Sequence, residues 1–301
     1  MKSRISQSVG YIGRCASVGV VACAAGLSCH AAGWEALGFS LDSGVVYDDN
    51  VTRGKVDSDR LADSAMTLSV SNGAVVWLAP HYRLVLNGSV GGQSFQNYGK
   101  LSHLDVTADG ELQYRASADY MAPTLGLFAK AAYEDYGSFA RDGARYAVGV
   151  SLRQAVTDRI SAFAALTAHA RRTQSAVFSG NEASLRMNLD YSLSARQTLY
   201  FGAEYRDGDI VSTGRSSLEN ITIAKVMVSD DAFEGKSMFS YRMPGKTAML
   251  NLGYNHALGP QGAVDIAWRY IEATPDARPS WATSPRSYTS NQVFANFLYR
   301  F

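Results

Sequence analysis

The chain has 301 residues, with 28 Lys and Arg against 27 Asp and Glu and a formal net charge of +1. This balance gives no argument for nucleic acid as a partner, because nucleic-acid-binding domains carry a basic excess. Beyond the N-terminal region, no apolar stretch approaches the length of a helix that spans a bilayer. A membrane protein without spanning helices must be a closed β-barrel, since unpaired backbone groups are not tolerated in hydrocarbon.

The N-terminal region has the pattern of a secretory signal peptide. Basic residues at positions 2, 4 and 14 precede an apolar run over 16–27, and Ala31 and Ala32 offer a cleavage site. The run is shorter than the roughly 20 residues of a spanning helix. The sequence predicts a signal peptide over 1–31 and one mature domain over 32–301. A membrane anchor, or lipoprotein processing at Cys23, is the alternative.

All three cysteines, at positions 15, 23 and 29, fall within this predicted signal peptide. The mature domain therefore contains no disulfide framework and no thiolate chemistry.

The body of the chain alternates between apolar and polar residues with a period of two. Leu185, Met187 and Leu189 share one face of a predicted strand, and Arg186 and Asp190 share the other. Similar runs are often ten residues or longer, whereas strands of soluble proteins average about five or six. The pattern favours a membrane barrel over a soluble β-sandwich.

Short turns alternate with longer polar segments, as in outer-membrane barrels. The turns lie near 79–81, 117–122, 157–159, 195–197 and 258–262, and the long segments near 49–61, 97–102, 137–143, 173–181, 212–244 and 275–286. Together they predict an all-β fold, a transmembrane antiparallel up-and-down β-barrel of about 12 strands (10–14 are compatible) in the outer membrane. The stretch 220–228 is either an extra strand or a hairpin within the long 212–244 loop.

The polar faces of the strands carry both signs of charge. The lumen-facing candidates are Arg83, Asp105, Lys130, Arg153, His169, Arg171, Arg186, Asp190, Glu204, Arg206, Asp265 and Arg269. Two interpretations stay open: a salt-bridged interior without a transport role and a polar conduit.

No arrangement of residues predicts catalysis. The four histidines of the mature domain, His81, His103, His169 and His256, lack the spacing of metal ligands on one strand face. The sequence predicts no catalytic residue, no metal, no cofactor and no enzyme activity. The glycines of 88–92 sit in a strand pattern with no helix after them, so we expect bulges or a close contact with a plug or loop there instead of a phosphate loop.

The chain ends on a strand over 292–301 with an apolar face that carries Phe297, Tyr299 and Phe301. Such an aromatic-terminated strand is typical of an outer-membrane barrel. The resemblance implies that these three residues form the signal read by the barrel assembly machinery.

Two further segments carry a family resemblance. The stretch 43–53, which contains Tyr47-Asp48-Asp49-Asn50-Val51, and the stretch 286–294, which contains Asn291-Gln292-Val293, resemble the barrel domain of surface lipoprotein assembly modifiers and related tetratricopeptide-linked barrels. The repeat domain of that family has no counterpart here, because Tyr47 follows the predicted cleavage site by about fifteen residues and one repeat takes 34.

That resemblance implies delivery of lipoproteins to the cell surface, and similar barrels accompany polysaccharide export. The functional hypothesis is export or translocation across the outer membrane, with a surface lipoprotein, a polysaccharide or a small solute as cargo. The alternative is a structural or adhesive barrel that binds partners through its extracellular loops. Expected partners are outer-membrane lipid, the assembly machinery and the exported cargo.

Overall fold

A computed structural model describes residues 33–301, so the predicted signal peptide lies outside the described part of the chain. Within residues 33–301 the backbone forms thirteen strands, all paired antiparallel. They are β1 (Gly33–Asp48), β2 (Asp63–Ala79), β3 (Tyr82–Phe95), β4 (His103–Arg115), β5 (Thr124–Tyr136), β6 (Gly143–Ala155), β7 (Ile160–Thr173), β8 (Gly180–Ser194), β9 (Gln197–Arg215), β10 (Val226–Ser229), β11 (Met238–Ala257), β12 (Gly262–Pro275) and β13 (Tyr288–Arg300).

Twelve of these strands close into an up-and-down barrel. Each strand pairs with the next along the chain, β9 pairs with β11, and β13 closes the barrel against β1 through pairs such as Val45 with Ala295. The short β10 pairs only with the outer end of β11 and is not part of the wall. The predicted twelve-strand, all-β barrel is confirmed.

The strands have an apolar outer face and a polar inner face. Leu104 is 65% exposed on the outside, whereas its neighbour Asp105 is 5% exposed on the inside. Outward tyrosines lie near the strand ends, Tyr82 and Tyr114 toward one rim and Tyr133 and Tyr146 toward the other. An apolar band between aromatic residues is the surface that a transmembrane barrel presents to lipid.

The two rims of the barrel differ in their connections. One rim carries the turns 80–81, 116–123, 156–159, 195–196 and 258–261. The other carries six loops, named here L1 (49–62), L2 (96–102), L3 (137–142), L4 (174–179), L5 (216–237) and L6 (276–287). Short turns face the periplasm and longer loops face the outside in such barrels, which sets the orientation.

The long loop predicted over residues 212–244 is shorter in the structure, where L5 covers 216–237. β9 and β11 extend beyond the barrel rim and shorten the loop, and L5 itself contains a helix, α1 (Leu218–Ile223), followed by β10. The helix forms because the Ser217 side chain accepts a hydrogen bond from the Asn220 backbone N–H and caps its start. The expectation of a strand or hairpin over all of 220–228 is therefore wrong in its first half. In residues 33–301, no helix combines the length and apolar character needed to cross a membrane.

The expectation of bulges at glycines 88–92 is also wrong. The pairing of β2 with β3 runs without a shift through this stretch, from Asn72–Gly88 to Leu68–Gly92. A Cβ at Gly92 would lie 3.1 Å from the backbone carbonyl oxygen of His103, so the glycine allows β3 and β4 to lie close together there.

Labelling of single cysteines tests this register. Leu189 is 50% exposed on the outer face, and Asp190 points inward and accepts a hydrogen bond from Ser161. We expect Leu189→Cys to react with a lipid-soluble maleimide and to resist a charged one, and Asp190→Cys to show the reverse. Leu189→Arg should reduce the yield of folded barrel more than Asp190→Arg, because Arg on the lipid face costs about 2–4 kcal/mol near the midplane. Reversed labelling would mean that the register is wrong by one residue.

Candidate functional site

The extracellular ends of β1 and β13 meet in a buried cluster of hydrogen bonds. The Asp48 carboxylate accepts hydrogen bonds from Ser290 Oγ at 2.8 Å and Gln292 Nε2 at 2.7 Å. Both terminal nitrogens of Arg53 also donate to Asp48, at 2.9 and 2.7 Å, a bidentate geometry that makes such pairs strong. Asn50 Nδ2 donates to the Thr289 carbonyl at 2.8 Å. We call Asp48, Asn50, Arg53, Ser290 and Gln292 the seam cluster.

The seam cluster turns L1 over the mouth of the barrel. Arg53 has a positive φ of 56° and reverses the chain there. The Thr52 carbonyl then accepts from the Thr213 N–H at 2.9 Å, and the Arg53 carbonyl accepts from Ser212 Oγ at 2.7 Å. Both partners belong to β9, which is four strands from β1 around the wall. L1 therefore crosses part of the mouth.

L5 fills another part of the mouth. Asp230 is buried and accepts hydrogen bonds from Arg141 of L3 at 2.5 Å and from Ser240 of β11 at 2.7 Å. Asp231 accepts from Ser138 of L3 at 2.5 Å. Phe233 is 1% exposed and packs against Tyr98 of L2, with 5.1 Å between the ring centroids. These contacts join L5 to L2, L3 and the wall.

A carboxylate links three loops. Glu219 of α1 pairs with Lys55 of L1 at 2.8 Å and accepts from Ser284 Oγ of L6 at 2.7 Å. Burial raises the pKa of the Glu219 carboxyl, but the hydrogen bonds from Lys55 and Ser284 outweigh this effect, so the pKa lies below its ordinary value of 4.5. Glu219 is therefore charged at neutral pH and ties L1, L5 and L6 together.

The lowered pKa sets the pH dependence of this bridge. A depressed pKa gives stabilisation that is present above the ordinary value and is lost as the pH falls through the lower folded value. We expect the loops to stay closed over the mouth at neutral and mildly acidic pH and to loosen only below pH 4.5. The measurement is ion conductance through the barrel in planar bilayers against pH. Glu219→Gln should be less closed at neutral pH and should lose this acidic transition, and an unchanged transition in that variant would assign the titration to another group.

All twelve predicted lumen positions are buried or half-buried. Several form ion pairs or hydrogen bonds within the wall: Arg171 with Glu134 at 3.5 Å, Arg206 with Glu204 and Glu182 at 2.7 Å each, Arg153 with Glu111 at 3.0 Å, and His169 with Ser184 at 2.9 Å. Others bind neutral partners: Arg83 with Gln113 at 2.6 Å, Arg269 with Asn251 at 2.8 Å, and Asp265 with Tyr200 at 2.8 Å. Arg186 also has an interaction partner. Lys130 is half-buried and Asp105 is buried.

These residues do not converge on one reactive centre. They line different heights of the wall, and within residues 33–301 no group of three His, Cys, Asp or Glu side chains is placed to hold a metal ion. Phe297 and Phe301 are exposed on the outer face, and Tyr299 lies between their rings with its hydroxyl donating to Gln261 Oε1 at 3.1 Å. Recognition of these three residues by the assembly machinery stays a prediction.

The loop residues that close the mouth were missed by the sequence reasoning. Arg141, Glu219 and Asp230 lie in segments without strand periodicity, so the alternation that located lumen residues gives no signal for them. Asp48 and Arg53 lie in the segment that resembles a known family, which was the available clue.

A cavity of about 550 Å³, bordered by both polar and apolar residues, occupies the periplasmic half of the lumen. Glycines of the inner face make room for it. A side chain at Gly44 would collide with Asn296, one at Gly73 with Asn87, and one at Gly253 with the ring of Tyr200. Because these polar side chains lie over glycines, they stay against the wall and leave the centre open.

Three solved structures of outer-membrane proteins are similar to this chain. An outer-membrane channel from Pseudomonas putida F1 matches with a TM-score of 0.52 at 9% identity, over 88% of this chain and 96% of that chain. The NanC porin matches with a TM-score of 0.46 at 12% identity, over 87% and 100% of the two chains, and the KdgM porin with 0.44 at 12%, over 87% and 99%. No protein-family model and no curated protein matches this sequence.

At these identities the likeness to the Pseudomonas channel shows a shared fold. The fold and the apolar outer face together place this chain in the outer membrane.

Proposed function

We propose that this chain is an outer-membrane channel for small polar solutes, with L1 and L5 as its extracellular gate. The observation that carries the proposal is the contrast between the two halves of the lumen. The periplasmic half holds a cavity of about 550 Å³ with charged and amide residues in its lining, and the extracellular mouth is crossed by loops held through buried ion pairs. A barrel that served only as a scaffold would not need a cavity kept open by glycines.

The dimensions favour a small solute over a folded cargo. Twelve strands enclose a lumen wider than the packed interior of eight strands and narrower than the aqueous channel of sixteen. Side chains and loops occupy part of that space. A folded lipoprotein or a bulky polymer would require displacement of L1, L5 and the lumen ion pairs together.

Single-channel recording tests the proposal. Folded protein is identified by a change of its mobility in SDS gels on heating. This protein is inserted into planar bilayers. We expect a small basal conductance with brief larger openings as the loops move. A barrel that conducts no ions at any voltage would contradict a channel and would favour the alternative, a surface scaffold that binds partners through its loops.

Export of a surface lipoprotein is a second candidate. It rests on the resemblance of two segments to the lipoprotein assembly modifiers; these segments lie side by side at the seam, joined through Asp48, Asn50 and Gln292, because β1 and β13 close the barrel. Co-expression with a tagged lipoprotein, followed by protease treatment of intact cells, tests it. Surface exposure of the tag that depends on this chain would support export, and a tag that stays protected would contradict it.

A further inference from the structure

The lining of the periplasmic cavity is rich in carboxamide groups. Four Asn and Gln residues of the inner face border it: Asn87, Gln113, Asn255 and Asn296. They come from strands β3, β4, β11 and β13, so they lie on more than one side of the cavity. A carboxamide presents a donor and an acceptor side by side, and so can satisfy a hydroxyl group in both roles.

The charged groups that border the cavity disfavour an anionic ligand. Five acidic residues border it, Glu35, Asp42, Asp109, Glu111 and Asp265, against three basic residues, Arg83, Arg153 and Arg300. Two of the three bases are already engaged, because Arg153 pairs with Glu111 at 3.0 Å and Arg83 donates to Gln113 at 2.6 Å. An anion would meet an acidic excess and few free donors of positive charge.

The acidic residues can still accept hydrogen bonds from a neutral ligand. Asp265 accepts one from Tyr200 at 2.8 Å and a longer one from Asn255 at 3.4 Å, and Asp109 accepts one from Asn87 at 3.3 Å. An ionised carboxylate has about four lone-pair positions, so each of these groups retains capacity. The Tyr200 ring, lodged over Gly253, adds an aromatic surface to the same cavity.

From these groups we infer that the cavity binds a neutral, hydroxyl-rich solute of the size of a mono- or disaccharide. Its volume of about 550 Å³ lies within the range of small-molecule sites. The inference rests on the proposed channel function and gives it a substrate class. The solute is recognised by amide and carboxylate pairs to its hydroxyls, and discrimination against sugar acids comes from the acidic excess.

Saturation-transfer NMR of the folded chain in detergent micelles tests the inference, with maltose as the neutral probe and maltobionate as the acidic probe of similar size. We expect a saturable signal for maltose and at least tenfold weaker binding of maltobionate. Asn87→Leu and Asn255→Leu should each weaken maltose binding about tenfold, because each variant removes a carboxamide that would hydrogen-bond a sugar hydroxyl. Asn181→Leu, which removes an exposed amide at the extracellular end of β8, should bind maltose as the unaltered chain does.

The outcomes separate this inference from the channel proposal. Absence of maltose binding, equal binding of both probes, or equal losses in the cavity variants and in Asn181→Leu would overturn the substrate class. If ions are conducted in that case, the channel proposal survives. Maltose binding by a chain that never conducts would overturn the channel and leave the cavity as a binding site. Each variant is first checked for the heat-dependent gel shift of a folded barrel.

Discussion

Arg53→Met is expected to raise the basal conductance of the channel severalfold. Arg53 joins the end of β1 to L1 through its bidentate contact with Asp48, and its carbonyl holds L1 to Ser212 of β9. Removing the guanidinium leaves the Asp48 carboxylate buried without its charged partner, which typically costs about 3–5 kcal/mol. The least costly way to restore solvation is to move L1 away from the mouth, and that opens the lumen. Single-channel conductance in planar bilayers is the measurement.

The double variant Asp48→Asn/Arg53→Met is the matched control. It removes both charges, so no buried carboxylate is left unpaired, and the carboxamide introduced at position 48 can keep contacts with Ser290 and Gln292. We expect this variant to open less than Arg53→Met does. Equal opening in the two variants would show that loss of the Arg53 side-chain contacts matters and that the unpaired carboxylate does not. Unchanged conductance in both would remove L1 from the gate.

The wall of the barrel was predictable because a closed sheet in lipid has a strict physical signature. Successive side chains alternate between lipid and lumen, so Leu104 and Asp105, or Leu189 and Asp190, could be assigned to opposite faces from sequence alone. The strand number followed from the turns. The ends of β9 and β11 were misplaced, because their outer parts carry buried apolar side chains such as Ile210, Tyr241 and Met243, and the pattern of a polar inner face does not continue there.

The gate was not predictable in the same way. Its ion pairs join residues far apart in sequence, Lys55 with Glu219 and Arg141 with Asp230, and no periodic pattern links such positions. The shape of the cavity also escaped sequence reasoning. Which inner-face glycine accommodates which neighbour depends on the register between strands, as for Gly253 and Tyr200, and the register appears only in the folded sheet.

Replacement of L5 by a two-residue turn should have the largest effect on conductance. Arg215 at the end of β9 and Met238 at the start of β11 are direct partners in the sheet, so residues 216–237 can be replaced by Asn-Gly, which favours the type I′ turn of a tight hairpin. The change removes Asp230, Asp231 and Phe233 from the mouth together with the Glu219 bridge. Arg141 then loses its partner, but it becomes solvated as the loop leaves. We expect a permanently larger conductance and faster uptake of hydrophilic antibiotics by intact cells.

The comparison of this variant with Leu218→Ser and with Arg53→Met decides what each loop contributes. Leu218 is 69% exposed on L5, so its replacement alters the loop without touching the contacts that hold it, and conductance should stay at the basal level. If the L5 replacement opens the channel and Arg53→Met does not, L5 alone is the gate and L1 is part of the wall. If neither opens it, the constriction lies deeper, among the ion pairs of Glu134 and Arg206. We expect the L5 replacement and Arg53→Met each to raise the conductance, and the combined variant to raise it further, because L1 and L5 close the same mouth from opposite sides of the seam.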